Sequence, residues 1–201
     1  MFERRSSLTG LISADHGISS GKSLRIGEVP DFSLLQVSAF PDTLRELERI
    51  FDQVFGMRLP LRIGVAARLG DVTLFKVGPE QFWFVSASDK WGATLRDAVL
   101  GEVGSFLMLS HSRARLFVDG DVARQVLSTG IGLDLHPSAF PVDAFALTEL
   151  QHTATLLHRV AADRYELYVP STFAEWIWEW LSDAALPHGA ECVVKSVVVD
   201  G

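Results

Sequence analysis

The chain has 201 residues, 48% of them apolar and 21% charged, an ordinary globular balance that can bury roughly 70% of its unfolded surface without a metal or disulfide staple. Its net charge of −7 comes with no basic stripe, which excludes nucleic acid as a natural partner. Cys192 is the only cysteine, so no internal disulfide forms; with no apolar run near the roughly 18 residues of a membrane span and a polar start at Met1-Phe2-Glu3-Arg4-Arg5, the expectation is cytoplasm and no membrane.

Residues 1–31 carry Ser, Gly, Asp and Lys with no clear period and read as an extended arm. Phe32 to Val37 reads as a strand. Pro41-Asp42-Thr43 opens a helix in which Thr43 and Glu46 have capping-box spacing. Leu44, Leu47, Ile50, Phe51, Val54 and Phe55 share one face of it, and Gly56 ends it. Leu61 to Val65 reads as a short strand. Val72 to Val77 and Gln81 to Ser86 form a hairpin about Gly78-Pro79-Glu80. A helix follows from Asp89, then apolar strands over 103–110 and 114–119.

The pattern then starts again. Asp121 to Ser128 reads as a short helix, Phe145 to Leu150 as a strand, and 154–160 with 164–169 as a hairpin. A final helix opens near Ser171 or Thr172, with Thr172 and Glu175 at capping-box spacing. Val77 aligns with Val160 and Phe82 with Tyr165 at a single offset, and in each half a strand and helix precede the hairpin and a helix follows it. The expected fold is therefore α+β, two pseudo-repeated strand–helix–strands–helix modules over 32–111 and 112–201, the second with a C-terminal tail.

Motifs that resemble catalytic ones fail on context. Gly17-Ile18-Ser19-Ser20-Gly21-Lys22-Ser23 has three residues between its glycines, where a phosphate-binding loop needs four, and Pro30 blocks the helix that should follow. The same stretch reads formally as G-x-S-x-G, without the strand and helix of a nucleophile elbow. His152 and His158 could share a strand face, but no cysteine joins them and Glu149 alone does not complete a metal site. Glu166 is expected to alternate outward to solvent. In the last helix Phe173, Trp176, Ile177, Trp180 and Leu181 form the inward stripe. Trp178 then lies outward and is the candidate partner contact.

The run Ser128-Thr129-Gly130-Ile131-Gly132-Leu133-Asp134-Leu135-His136-Pro137-Ser138-Ala139-Phe140-Pro141 resembles the G-x-x-L-D-L-x-P-x-x-F-P signature of the sarcosine oxidase gamma subunit family. Thr148-x-Leu150 follows it. The ending from Tyr165-Glu166-Leu167 to the Trp-rich helix is similar to that family's F-E-L-x-V-x-R-S-F-A-x-x-L-W-x-W-L, with departures at Pro170 and Thr172. Arg5-Ser6-Ser7-Leu8 resembles its N-terminal R-S-P-L. The structural signature is thus Gly130, Leu133, Asp134, Pro137, Phe140 and Thr148. In this run Gly130 and Gly132 supply permissive backbone, Asp134 braces a turn, and Leu133, Leu135 and Phe140 plug the connection to the core.

The resemblance implies a subunit of heterotetrameric sarcosine oxidase, which converts sarcosine to glycine with peroxide and methylene-tetrahydrofolate as products. It implies a fold similar to the folate-binding aminomethyltransferase domain. It assigns this chain no catalytic residue, cofactor or metal, and places FAD, FMN, NAD and tetrahydrofolate in partner subunits. The alpha subunit is the main partner, with beta and delta completing the set. A mean hydropathy of +0.22 fits apolar surface meant for a partner. The competing reading is a stand-alone folate-dependent one-carbon enzyme, with Asp134 and Glu149 as the nearest acids. A folate-sensing or iron–sulfur repair protein of the same architecture is a third.

Overall fold

Alternating apolar residues draw the chain into two separate sheets. The computed structural model describes residues 6, 8, 24–99 and 101–194. The glycine-rich stretch 17–23, most of the expected arm and the tail from 195 lie outside the described residues. In chain order the strands are β1 (Arg25–Glu28), β2 (Ser33–Ala39), β3 (Ala67–Leu69), β4 (Val72–Lys76), β5 (Gln81–Ser86) and β6 (Gly104–Met108). They continue with β7 (Arg113–Asp119), β8 (Phe145–Leu150), β9 (Thr153–Ala161), β10 (Arg164–Pro170) and β11 (Glu191–Val194). The helices are α1 (Leu44–Phe55), α2 (Lys90–Val99), α3 (Ala123–Ser128) and α4 (Ala174–Ala185).

Residues 31–110 form one unit. Its sheet has the order β3-β4-β5-β2-β6. Leu47 and Phe51 of α1 and Leu95 and Val99 of α2 pack with Leu35, Val37, Leu74, Phe82 and Phe84. Phe51, Phe55, Phe84 and Trp91 meet at centroid distances of 5.2–6.2 Å, in the tilted and edge-on geometries that aromatic quadrupoles favour. Gly56 sits at φ 63° and closes α1 by donating to Asp52 O, the left-handed cap that a side chain would strain. The capping box does not form. Thr43 Oγ1 accepts from Phe40 N at 2.9 Å and donates to Val103 O, while Glu46 pairs with Arg49. The hydroxyl is drawn to nearer backbone groups. Leu61 to Val65 is not a strand: Gly64 at φ 100° turns the chain, and the strand comes later, as β3.

The other unit joins the described residues before 31 to residues 111–194. Its sheet runs β11-β1-β7-β10-β9-β8. Here the expected arm is corrected: residues 25–28 are a strand between β7 and β11, antiparallel to the first and parallel to the second. Leu24 and Ile26 are fully buried, so alternation over this short run was a strand signal. Leu8 is buried in the same core, and Ser6 Oγ donates to Glu28. α3 and α4 cover that core with Val126, Leu127, Ile177 and Leu181. The second capping box is also absent. Residues 171–173 make a 3₁₀ turn and α4 starts at Ala174, one residue later than the box requires.

Candidate functional site

The signature run links α3 to β8, and three devices hold it. Backbone pairing fixes its start: Ile131 bridges Leu150, and Gln151 N donates to Gly130 O at 3.2 Å. A side-chain turn fixes its middle: Asp134 Oδ1 accepts His136 N at 2.8 Å, an Asx turn that occupies the carboxylate with backbone. Arg159 of β9 fixes its end. Its Nη1 donates to Phe140 O at 2.7 Å and its Nη2 to Ala162 O at 2.5 Å. Arg159 is 6% exposed, so its charge is held by carbonyl dipoles and by the Tyr165 ring, 5.6 Å away. Nothing in the local sequence announces this role, because a loop carbonyl leaves no trace in residue type.

Leu135 and Phe140 anchor the run in the core, whereas Leu133 is 36% exposed. The expectation that Leu133 plugs the core is corrected: it lies just before the Asx turn, which runs from Asp134 to His136, and only Leu135 within the turn is buried. Gly130 has a reason other than permissive backbone. A Cβ there would stand 2.5 Å from Trp180 Cζ2 and 2.9 Å from Leu150 Cδ1, so the indole of α4 requires the absence of a side chain. Pro137 is exposed at the outer bend.

A cleft of about 650 Å³ opens beside this run, lined by residues 128–132 with Thr148, Glu149, Gln151 and His152. Glu149 and His152 are both exposed. His152 sits at φ 63° in the β8–β9 turn, not on a strand face with His158, which is buried within β9. Asp134 does not line the cleft. Among the described residues no three His, Cys, Asp or Glu side chains gather as a metal site.

A second polar group lies within the sheet, and sequence reasoning missed it. Glu166 does not face solvent: it is 4% exposed. Arg115 on β7 clasps it through Nε and Nη2 at 2.8–3.0 Å. Arg164 stands 3.7 Å from Glu166 and 3.3 Å from Asp119, and the Tyr168 hydroxyl donates to Glu166 at 3.3 Å. Burial pushes the Glu166 carboxyl up, but the charge and hydrogen bonds of Arg115 outweigh it and hold the group below the usual carboxylate range. Burial likewise opposes the charge on Arg115, and Glu166 keeps it firmly protonated. The available signal was parity: Arg115 and Glu166 sit on neighbouring strands two residues out of register, Arg115 opposite Tyr168 and Glu166 opposite Phe117, and so share a face.

The helix phase of α4 is also corrected. Ala174, Ile177, Trp178, Leu181 and Ala185 are the buried positions. Trp178 is 5% exposed and belongs to the core, while Phe173 and Trp176 are 51% and 43% exposed. Counting the stripe from Phe173 set it one position off, because Phe173 lies in the 3₁₀ turn. A second exposed apolar stretch lies in the other unit, at Leu61, Ile63, Val65 and Leu69.

The family described as "Sarcosine oxidase, gamma subunit family" matches residues 46–187. The sarcosine oxidase subunit gamma of Corynebacterium sp. strain P-1 is 32% identical over 143 residues, which cover 70% of each chain. That of Arthrobacter sp. is 31% identical over 131 residues, 64% of each. Among solved structures, a chain of heterotetrameric sarcosine oxidase from Corynebacterium sp. U-96, in complex with pyrrole 2-carboxylate, superposes with a TM-score of 0.82 at 26% identity. The match covers 93% of this chain and 97% of that one. Aminomethyltransferase T from Bartonella henselae shares the fold, with a TM-score of 0.62 at 16% identity over 85% of this chain and 48% of that one. Signature run, fold and relatives agree, and the chain belongs to the sarcosine oxidase gamma subunit family.

Proposed function

We propose that this chain is the gamma subunit of a heterotetrameric sarcosine oxidase and works there by holding the assembly together, not by making or breaking bonds. The observation that carries this is the U-96 likeness, a TM-score of 0.82 over nearly the whole of both chains. The reaction served is the oxidative demethylation of sarcosine to glycine, with peroxide and methylene-tetrahydrofolate as products. FAD, FMN, NAD and tetrahydrofolate reside in the partner subunits, and alpha is the main contact, with beta and delta beyond it. The work takes place in the cytoplasm; no described helix is long and apolar enough to cross a membrane.

The chemistry of the polar groups supports a scaffold role. Asp134 is tied to a backbone turn, Arg159 to two carbonyls and Glu166 to Arg115. Such groups are neutralised by their own chain, and general acid–base work needs a group free to exchange its proton with substrate.

The internal repeat belongs to the same proposal. The order β3-β4-β5-β2 in one sheet parallels β8-β9-β10-β7 in the other. The place that β6 takes beside β2 is filled beside β7 by β1. One ancestral module, copied once and with its last strand supplied from elsewhere in the chain, accounts for both sheets.

The test is to co-express the chain with its alpha, beta and delta partners, purify through a tag on alpha, and measure sarcosine-dependent peroxide formation. Co-purification in equal proportion, and an oxidase that loses stability when this chain is omitted, are expected. A complex that forms and turns over unchanged without it, or sarcosine turnover by the isolated chain, would sink the reading.

A further inference from the structure

Four exposed apolar side chains, the most exposed among them Leu61, fall in one short stretch of the 31–110 unit. Leu61 is 80% exposed, Ile63 57%, Val65 55% and Leu69 50%. Scattered single leucines on a surface are ordinary, but four within so short a run are not. The stretch is held in place. Met57 and Leu59 before it and Ala66 within it are buried. Lys76 Nζ donates to Leu61 O at 3.2 Å, and β3 pairs with β4 from Ala67 to Leu69. Anchored backbone therefore presents these side chains outward, which lowers the ordering cost of binding. β3 is the edge strand of its sheet, and a bare apolar edge is a liability unless something covers it.

Charge says what kind of surface covers it. Between Met57 and Gly70 the sequence has Arg58, Arg62 and Arg68 and no Asp or Glu, in a chain whose net charge is −7. All three are exposed. Neither Arg58 nor Arg62 forms a salt bridge among the described residues. Beside them an open cleft of about 630 Å³ is lined by Arg58, Leu59 and Leu61 together with Arg45, Glu48, Arg49 and Asp52 of α1, whose charges balance, so the excess there is Arg58. A second copy of this chain is a poor occupant. A two-fold contact sets the same patch against itself, and across residues 57–69, which hold three arginines and no acid, that brings guanidinium against guanidinium.

We infer that residues 57–69 are a docking surface for a partner subunit of the oxidase, one that offers an apolar centre rimmed by carboxylates. This rests on the reading of the chain as a subunit and says where that subunit docks. The aliphatic side chains form the centre and the arginines the rim, the division of labour common to stable interfaces of roughly 800 Å² per partner.

The experiment uses the full chain co-expressed with its partner subunits and captured through a tag on the largest of them. Two variants are compared with wild type: Leu61→Asp with Ile63→Asp, and Arg58→Glu with Arg62→Glu. Each is expected to fall at least tenfold in recovery with the complex while keeping the wild-type circular dichroism spectrum and melting temperature, because the replaced groups are exposed. The arginine variant decides the matter should the aspartate variant melt lower. Recovery of the deciding variant at the wild-type level overturns the docking surface and leaves the subunit reading standing. If wild type itself fails to assemble, the subunit reading falls and this inference with it. If Leu61→Asp with Ile63→Asp breaks up only a dimer of the isolated chain, the occupant is a second copy and the inference is wrong.

Discussion

Replacing Arg115 with methionine tests whether the charges inside the six-stranded sheet are as closely coupled as their geometry implies. The pair is bidentate at 2.8–3.0 Å, with side chains 16% and 5% exposed. At about 3 Å and an effective dielectric near 20, attraction is roughly 5 kcal/mol before burial costs are subtracted. Removing one partner strands the other, at about 3–5 kcal/mol. For a chain of this size that is a fall in Tm of ~6–20 °C. The double variant Arg115→Met with Glu166→Leu removes both charges and should recover most of the loss. The pH dependence carries a sign. Glu166 has a lowered folded pKa, so in wild type its contribution is full above the ordinary carboxylate value near ~4.3 and is lost as pH falls through the folded value. In Arg115→Met burial remains and the main cation is gone, so the folded pKa rises above the unfolded one. Wild type and variant should differ most near neutral pH and converge toward acid. Thermal melts by circular dichroism between pH 3 and pH 8 provide the measurement. A single variant clearly less stable than the double near neutral pH, with its gap from wild type closing toward acid, supports the coupling; a double variant as unstable as the single, or a pH-independent gap, refutes it.

Gly130→Ala should cost about 1–3 kcal/mol through its clash with the indole, and Trp180→Leu in the same chain should relieve most of it; an unaffected Tm in the single variant would contradict the packing. Trp178→Ala should cost about 3–5 kcal/mol in a chemical denaturation curve, whereas Trp176→Ala, on the exposed side of α4, should stay within about 0.5 kcal/mol; the reverse order would restore the opposite helix phase. Asp134→Ala should lose about 0.5–1.5 kcal/mol for one hydrogen bond, and Asp134→Asn, which keeps an acceptor, should lose less.

The hairpins were legible because two alternating runs about a turn specify both strands at once. Gln81 to Ser86 came out with the bounds expected, and the second hairpin, expected over 154–160 and 164–169, is β9 and β10 to within a residue at each end. Short elements were harder. β1 has four residues, too few to separate a period from chance, and its partners lie far along the chain. Alternation told which residues share a face, not whether that face meets water, which is why Glu166 was expected in solvent. Capping boxes at Thr43 and Thr172 failed for two reasons that spacing cannot reveal: the Thr43 hydroxyl is taken by nearer backbone groups, and Thr172 lies inside a 3₁₀ turn, with Phe173 at the helix cap. The signature run was legible as a pattern, and Asp134 as a brace, yet the arginine that holds its far end lies on another strand.

Where β1 sits constrains the order in which this chain can fold as it leaves the ribosome. All strands of the 31–110 unit are consecutive in the chain, so that unit can close early. The other sheet pairs Ile26 with Val118 on one side and with Cys192 on the other, so residues 24–30 leave the ribosome well before either partner strand and must wait for it. During that interval Leu24 and Ile26 are uncovered, and loop closure over such a span is slow. Capture of these residues by a nascent β7 should therefore govern the yield of soluble chain more than the stability of the finished sheet does.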